Sequence, residues 1–283
     1  MNKKIWRVTI PLVLAVLLIF AAFIGNRAHR YGWAKGLKGK IAIVTVMAGD
    51  INYKWNKNDE KGRYYFVKIL KNACDYIEKS AAGYGSRVEF IHTGNCPDSR
   101  LMMDMDFDVA LSGETHDTGA VDEFLCSDEM SKERKALMKE LGCCGIIYLF
   151  YINAPKGYPY PGTTYMWMQP SDPEDEFSLL YAHMKDEDIS AAIVAHEILH
   201  CFGLPDLYAA DPDDSAPLVT KEYVTYLKET DSDDIMYSVY SKRGHDRYEV
   251  PQCFSDTDAY FAGLINTCED AERYDLGKPI YFR

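Results

Sequence analysis

The chain has 283 residues, 47% of them hydrophobic and 26% charged, with 21 Tyr and 4 Trp. That composition argues against a disordered polymer and leaves room for one large folded domain. The formal net charge is −12, and no Lys/Arg stripe interleaved with aromatics follows the N-terminal region. A phosphate backbone would be repelled more than attracted, so nucleic acid is not expected as a partner.

The first segment differs from the rest. Lys3, Lys4 and Arg7 precede the uncharged run Val8 to Ile24, the order of a charged flank and an apolar stretch found in export signals and membrane anchors. No small-residue cleavage pattern is evident around Ala21, Ala22, Gly25 and Ala28, so residues 1–27 are expected to be an uncleaved single-pass anchor, with secretion after signal cleavage as the alternative. The basic N-terminal flank places that end in the cytoplasm and the folded domain outside, although Arg27, Arg30, Lys35, Lys38 and Lys40 pull against this orientation. Residues 28–40, basic and glycine-containing without apolar periodicity, suit a stalk.

The domain is expected over 41–283. I-A-I-V-T-V-M-A at 41–48 is a buried-strand pattern, and Phe66, Ile69, Leu70, Ala73 and Ile77 share one face of a helix from Tyr64 to Lys79. Short strands are expected at Arg87–His92, Phe107–Leu111 and Gly145–Ile152, and a helix at Ser131–Leu141. Thr163–Gln169 alternates Tyr165 and Trp167 against Met166 and Met168, as an edge strand does. Another helix is expected at Ser255–Leu264. The fold class is therefore α/β (α+β): a mixed twisted sheet with a functional helix, an N-terminal lobe of about 41–203 and a smaller, irregular, partly helical C-terminal lobe of about 204–283.

The chemistry concentrates at D-I-S-A-A-I-V-A-H-E-I-L-H-C-F-G-L-P-D, residues 188–206. On a helix, His196 and His200 are four apart and project from one face, near enough to bind one metal ion. Ala191, Val194, Ala195, Ile198, Leu199 and Phe202 are expected on the opposite side, turning the histidines towards a cleft. Glu197 then lies beside the coordination position left to water, the place of a general base. Gly203 can take the left-handed conformation that ends a helix and Pro205 prevents its resumption, so the chain can return Asp206 as a third ligand. Two neutral imidazoles and one carboxylate leave positive charge on one catalytic Zn²⁺, which lowers the pKa of a coordinated water to about 7.

H-E-I-L-H-C-F-G-L-P-D resembles the extended motif of the metzincin clan, in the variant with Asp as third ligand found in snapalysin-type proteases; the bacterial immune-inhibitor proteases carry a similar G-L-P-D. The resemblance covers mostly 188–208 and 232–240. It implies a zinc metalloendopeptidase acting on protein or peptide substrates, and a methionine turn beneath the metal for which D-I-M-Y-S at 234–238 offers Met236. Where some metzincins have a metal-approaching tyrosine two residues after that methionine this chain has Ser238, flanked by Tyr237 and Tyr240, so no tyrosine role is assigned. The acidic insertion between Asp206 and Met236 leaves Glu222, Glu229 and His245 as alternative third ligands.

Other residues read more plainly. Cys201 faces away from the histidines and suits core packing. The eight cysteines (Cys74, Cys96, Cys126, Cys143, Cys144, Cys201, Cys253 and Cys268) form no C-x-x-C pair and are compatible with disulfides or with buried thiols. The Asp runs at 211–214 and 231–234 could bind Ca²⁺ but lack a glycine-spaced loop, which favours solvated loops. His92, His116 and His183 suit structural or exposed positions. Two rivals to a peptidase of this kind stand: a membrane-tethered binding or structural module whose zinc staples the fold, and a gluzincin-like peptidase with a downstream Glu ligand. Oligomeric state is not legible.

Overall fold

The computed structural model describes residues 37–56, 59–112, 118–154, 156–157, 162–165, 177–184, 187–210, 218–240 and 246–279. The expected anchor, the stalk before residue 37, His116, His245, the Asp run at 211–214 and the Met166–Gln169 part of the expected edge strand lie outside them. No helix among the described residues is long and apolar enough to cross a membrane.

The apolar run at the start of the domain forms β1 (Gly39–Gly49), buried at every position from Ile41 onward. α1 (Glu60–Gly83) begins earlier than expected because the Asp59 carboxylate accepts the Gly62 N–H and caps it. Phe66, Ile69, Leu70, Ala73, Cys74, Ile77 and Ala81 recur at helical spacing and bury one face of it. β2 (Val88–Ile91), a 3₁₀ turn (Ser99–Leu101) and β3 (Met102–Asp106) follow.

The expected strand at Phe107–Leu111 does not form. The ladder between β1 and β3 ends at Gly49 and Asp106, and the buried carboxylate of Asp50 takes its place. Its Oδ2 accepts the N–H groups of Leu111 and Ser112, each at 3.1 Å, and the Ser112 hydroxyl at 2.7 Å. Its Oδ1 accepts from Asn52 and Tyr53 at 2.8 and 2.7 Å. A side chain competes with a neighbouring strand for these backbone groups and wins.

Next come α2 (Gly119–Cys126), α3 (Asp128–Leu141), β4 (Gly145–Ile152), β5 (Gly162–Tyr165) and β6 (Phe177–Tyr181). The Ser127 hydroxyl caps α3 and Gly142, at φ 67°, ends it. A small hairpin, β7 (His183–Met184) with β8 (Glu187–Asp188), leads into α4 (Ala191–His200); α5 (Lys221–Glu229), α6 (Asp256–Phe261) and α7 (Glu269–Arg273) complete the order. The helix expected at Ser255–Leu264 is thus shorter, with Ser255 as its cap.

The six-stranded sheet has the order β2-β1-β4-β6-β5, with β3 also paired to β1. All pairs are parallel except β5 with β6, which makes β5 an antiparallel edge strand. Both faces are covered, which is why the central strands read as continuous apolar runs. Ile41, Ile43 and Met47 of β1 with Ile147 and Leu149 of β4 point to α1, α4 and the chain beyond. Ala42, Val44 and Val46 with Ile146, Tyr148 and Phe150 point to α2 and α3. No disulfide links any of the eight cysteines. The protein is a mixed α/β fold.

Candidate metal centre

Ser190 caps α4 by accepting the Ile193 N–H at 3.4 Å. The helix is not amphipathic in place, contrary to expectation: every residue from Ala191 to Leu199 is buried, with His196 5% and Glu197 4% exposed. α1 packs on one side, β5 and β6 lie against another, and a turn at 234–237 closes over the histidines. Gly203, at φ 86°, donates to the His200 carbonyl at 2.8 Å and turns the chain. The Met236 carbonyl then accepts the Leu207 N–H at 3.0 Å, which fixes the returning segment and delivers Asp206.

The imidazoles are oriented by backbone carbonyls. His196 Nδ1 lies 3.0 Å from the Ile235 oxygen and His200 Nδ1 lies 2.7 Å from the Leu204 oxygen. A carbonyl can only accept, so each Nδ1 carries the hydrogen, and in the neutral ring each Nε2 presents a lone pair. The two Nε2 atoms are 3.0 Å apart, and each is 3.2 Å from Asp206 Oδ1. That oxygen is buried with no N–H or O–H directed at it. Three acceptors therefore meet at one point, an arrangement that calls for a cation or extra protons.

Without a metal the protons come from water. Burial alone would lower the His200 pKa, but the Asp206 carboxylate and Glu197 outweigh it and lift it to about 9. For Asp206, burial favours the neutral acid, yet the two imidazoles hold its pKa well below the ordinary carboxylate range.

The donor set suits zinc. Ligands about 2.0–2.1 Å from a tetrahedral ion lie about 3.3 Å from one another, close to the 3.0, 3.2 and 3.2 Å found. Among the described residues this is the one cluster in which three His, Cys, Asp or Glu ligand atoms could hold an ion. Glu222 and Glu229 are exposed on α5, whose Tyr223 and Leu227 face the core, so neither joins the cluster. Cys201 is buried with its sulfur 3.7 Å from the Ser178 hydroxyl.

Glu197 is held by its surroundings. A Cβ placed at Gly162, the first residue of β5, would lie 2.8 Å from Glu197 Oε1 and 3.0 Å from its Cγ and Cδ. The edge strand can approach the carboxylate only because that position has no side chain. Met236 is fully buried among the same apolar residues as Ile198 and Leu199, and its N–H donates to Asp234 Oδ1 at 2.7 Å. Asp234 corrects the solvated reading of the second Asp run: it is 2% exposed. His92 is a buried structural residue whose pKa burial lowers to about 4, and His183 pairs with Asp188 at 2.7 Å.

Sequence reasoning missed Tyr208. Its ring stacks on His196, with centroids 6.5 Å apart and planes 16° from parallel, while the residue stays 53% exposed. Partial burial, then the Asp206 carboxylate to which its hydroxyl is hydrogen-bonded, then Glu197, push its pKa well up, so the phenol keeps its proton. The signal was present in P-D-L-Y: Leu207 turns into the core, and alternation sets Tyr208 beside Asp206.

No family model matches the chain, and no curated protein matches it. A solved structure described as "Structure of a chaperone-substrate complex" is similar over 62% of this chain and 26% of its own length, with 13% identity and a TM-score of 0.35. The chain thus spans about a quarter of that protein, and a likeness this loose carries no argument about fold or function.

Proposed function

We propose that the chain is a zinc-dependent endopeptidase with a metzincin-like catalytic domain. The observation that supports this best is the nearly equilateral triangle of acceptors formed by His196, His200 and Asp206, with Glu197 beside it. When bound, zinc supplies a Lewis acid that acidifies water and polarises the scissile carbonyl.

The chain's own residues do the rest. His196 and His200 stay neutral as ligands because the Ile235 and Leu204 carbonyls hold their Nδ1 hydrogens. Glu197 accepts the attacking water's proton and passes it to the leaving nitrogen as the C–N bond breaks. The phenol of Tyr208, kept protonated, offers a hydrogen bond at the mouth of the site, where charge develops on the carbonyl oxygen. An extended peptide laid along the outer edge of β5 would pass Gly162 and so meet Glu197.

Three ligands in place of four among the described residues favour a catalytic ion over a structural staple, because a structural zinc closes its fourth position with protein. The uncharged segment at 8–24 supports a domain carried to or across a membrane. The reading is tested with Glu197→Gln: proteolysis of an unfolded protein substrate should fall by about 10²–10⁴-fold while zinc stays bound. Cleavage at the wild-type rate would overturn it.

A further inference from the structure

Two buried carboxyl groups stand apart from the metal cluster. Asp234 is 2% exposed and Asp258, on α6, is 1% exposed. Each spends one oxygen locally. Asp234 Oδ1 accepts the Met236 N–H at 2.7 Å and the Tyr237 N–H at 3.3 Å. Asp258 Oδ2 accepts the Ser255 N–H at 3.1 Å, half of the capping box that starts α6.

The remaining oxygens, Asp234 Oδ2 and Asp258 Oδ1, are buried and receive no N–H or O–H donor. The two carboxyl groups face each other within hydrogen-bond contact. Tyr76 on α1, Tyr84 just past its end, Tyr223 on α5 and Cys253 with Asp233 lie nearby, and the Ser255 hydroxyl hydrogen-bonds to the Asp234 carboxylate. None of these is a cation, and among the described residues neither carboxyl has an ion pair with Lys, Arg or His. Two buried carboxyl groups in hydrogen-bond contact without a counter-charge are not both ionised there; one proton between them turns repulsion into an O–H···O⁻ bond.

We propose that Asp258 is a positioning residue: it shares one proton with Asp234, and this bond clamps the turn whose Ile235 carbonyl orients His196 to the C-terminal helix α6. A short backbone bridge also ties the turn to the segment before α6, with Cys253 N–H donating to the Asp233 carbonyl at 3.0 Å. Beyond the Asp234 carboxylate, Ile235 N–H donates to the Cys253 carbonyl at 2.9 Å, and the Met236 carbonyl holds the Asp206 loop through Leu207. The clamp thus reaches His196 and Asp206 through one turn; its effect on metal binding rests on the proposed zinc site, but the clamp itself does not.

Burial raises both acids, and the Asp234 charge raises Asp258 further while hydrogen bonds from Ser255 and Asp258 pull against the rise of Asp234, so the proton stays on the Asp258 side of the pair into the range where free carboxyls are ionised. A raised folded pKa makes its contribution complete below about 4 and loses it as pH climbs through the folded value. The proton that leaves goes to water, and two like charges remain in the core.

The test compares the full chain with Asp258→Asn, whose amide can donate to Asp234 at any pH. The folding constant of the wild type should decline relative to the variant by up to tenfold per pH unit on raising the pH from 5, until the shared proton is lost. Wild type at pH 8 should also show the infrared carbonyl band of a protonated carboxyl, absent from the variant. A stability difference that does not change with pH, or no protonated band, would overturn the clamp; if the variant does not fold, the wild-type band decides. Failure of both proteins to bind zinc, with the pH effect intact, would refute the metal reading and leave the clamp standing.

Discussion

Asp50 and Asp206 are both carboxylates drawn inward from the ends of regular elements, and they meet opposite surroundings. Asp50, after β1, is ringed by backbone N–H groups and a serine hydroxyl that point at it. Asp206, after α4, faces two imidazole nitrogens whose hydrogens are turned the other way, towards carbonyls. The first is a carboxylate whose acceptor positions the fold has already filled, and it ties the segment after β1 to the one at 111–112. The second is a charge waiting for a cation, and the distinction lies in which atoms carry hydrogens, not in burial or residue type.

The comparison breaks most visibly at Asp50. Asp50→Ala would leave the buried N–H groups of Leu111 and Ser112 without acceptors at about 1–3 kcal/mol each, so chemical denaturation should show a loss on the order of 2–6 kcal/mol. Zinc affinity of the molecules that remain folded should be unchanged. A variant as stable as the wild type would mean that the loops hold themselves.

Gly162→Ala sharpens it from the other side. The added methyl meets the Glu197 carboxylate, and a displacement of about 1 Å in a catalytic group costs up to about 10²-fold. The turnover number should fall while KM and zinc affinity hold; equal losses in binding and turnover would show that Gly162 serves the peptide and not Glu197.

Proton competition gives the smallest effect. Below about 9, His200 carries a proton that zinc must displace, so apparent zinc affinity should weaken tenfold for each unit of pH lowered between 8 and 6. In the zinc-free protein the same pair sets a stability window. The Asp206 contribution is present above about 4 and lost as pH falls through its depressed value; the His200 contribution is complete below about 6.5 and lost as pH rises through about 9. A flat zinc titration across that range would place the proton elsewhere.

Much of this was legible in advance, for reasons that differ by element. β1, β4 and α1 announce themselves because burial on both faces, or on one helical stripe, leaves long apolar patterns. His196, Glu197, His200 and the Gly203 turn are separated by a few residues on one helix, so spacing alone brings them together. F-S-L-L-Y at 177–181 was not legible as β6, since a five-residue run buried on both sides has no alternation to betray it. The sealing of α4 was missed because the turn that covers its histidines arrives from 35 residues or more downstream. The Asp50 loop tie and the Asp234–Asp258 contact likewise depend on partners far apart in sequence, and acidic residues in loops ordinarily read as solvated.

The central claim is that three acceptors converge on a divalent ion, and a zinc titration of the metal-free protein at pH 7.5 followed by calorimetry and native mass spectrometry tests it most directly. The account predicts one zinc per chain, with affinity in Asp206→Ala reduced by more than the roughly 10–100-fold that removal of an outer-shell partner causes. No saturable zinc binding, or equal affinity in the Asp206→Ala variant, would contradict it.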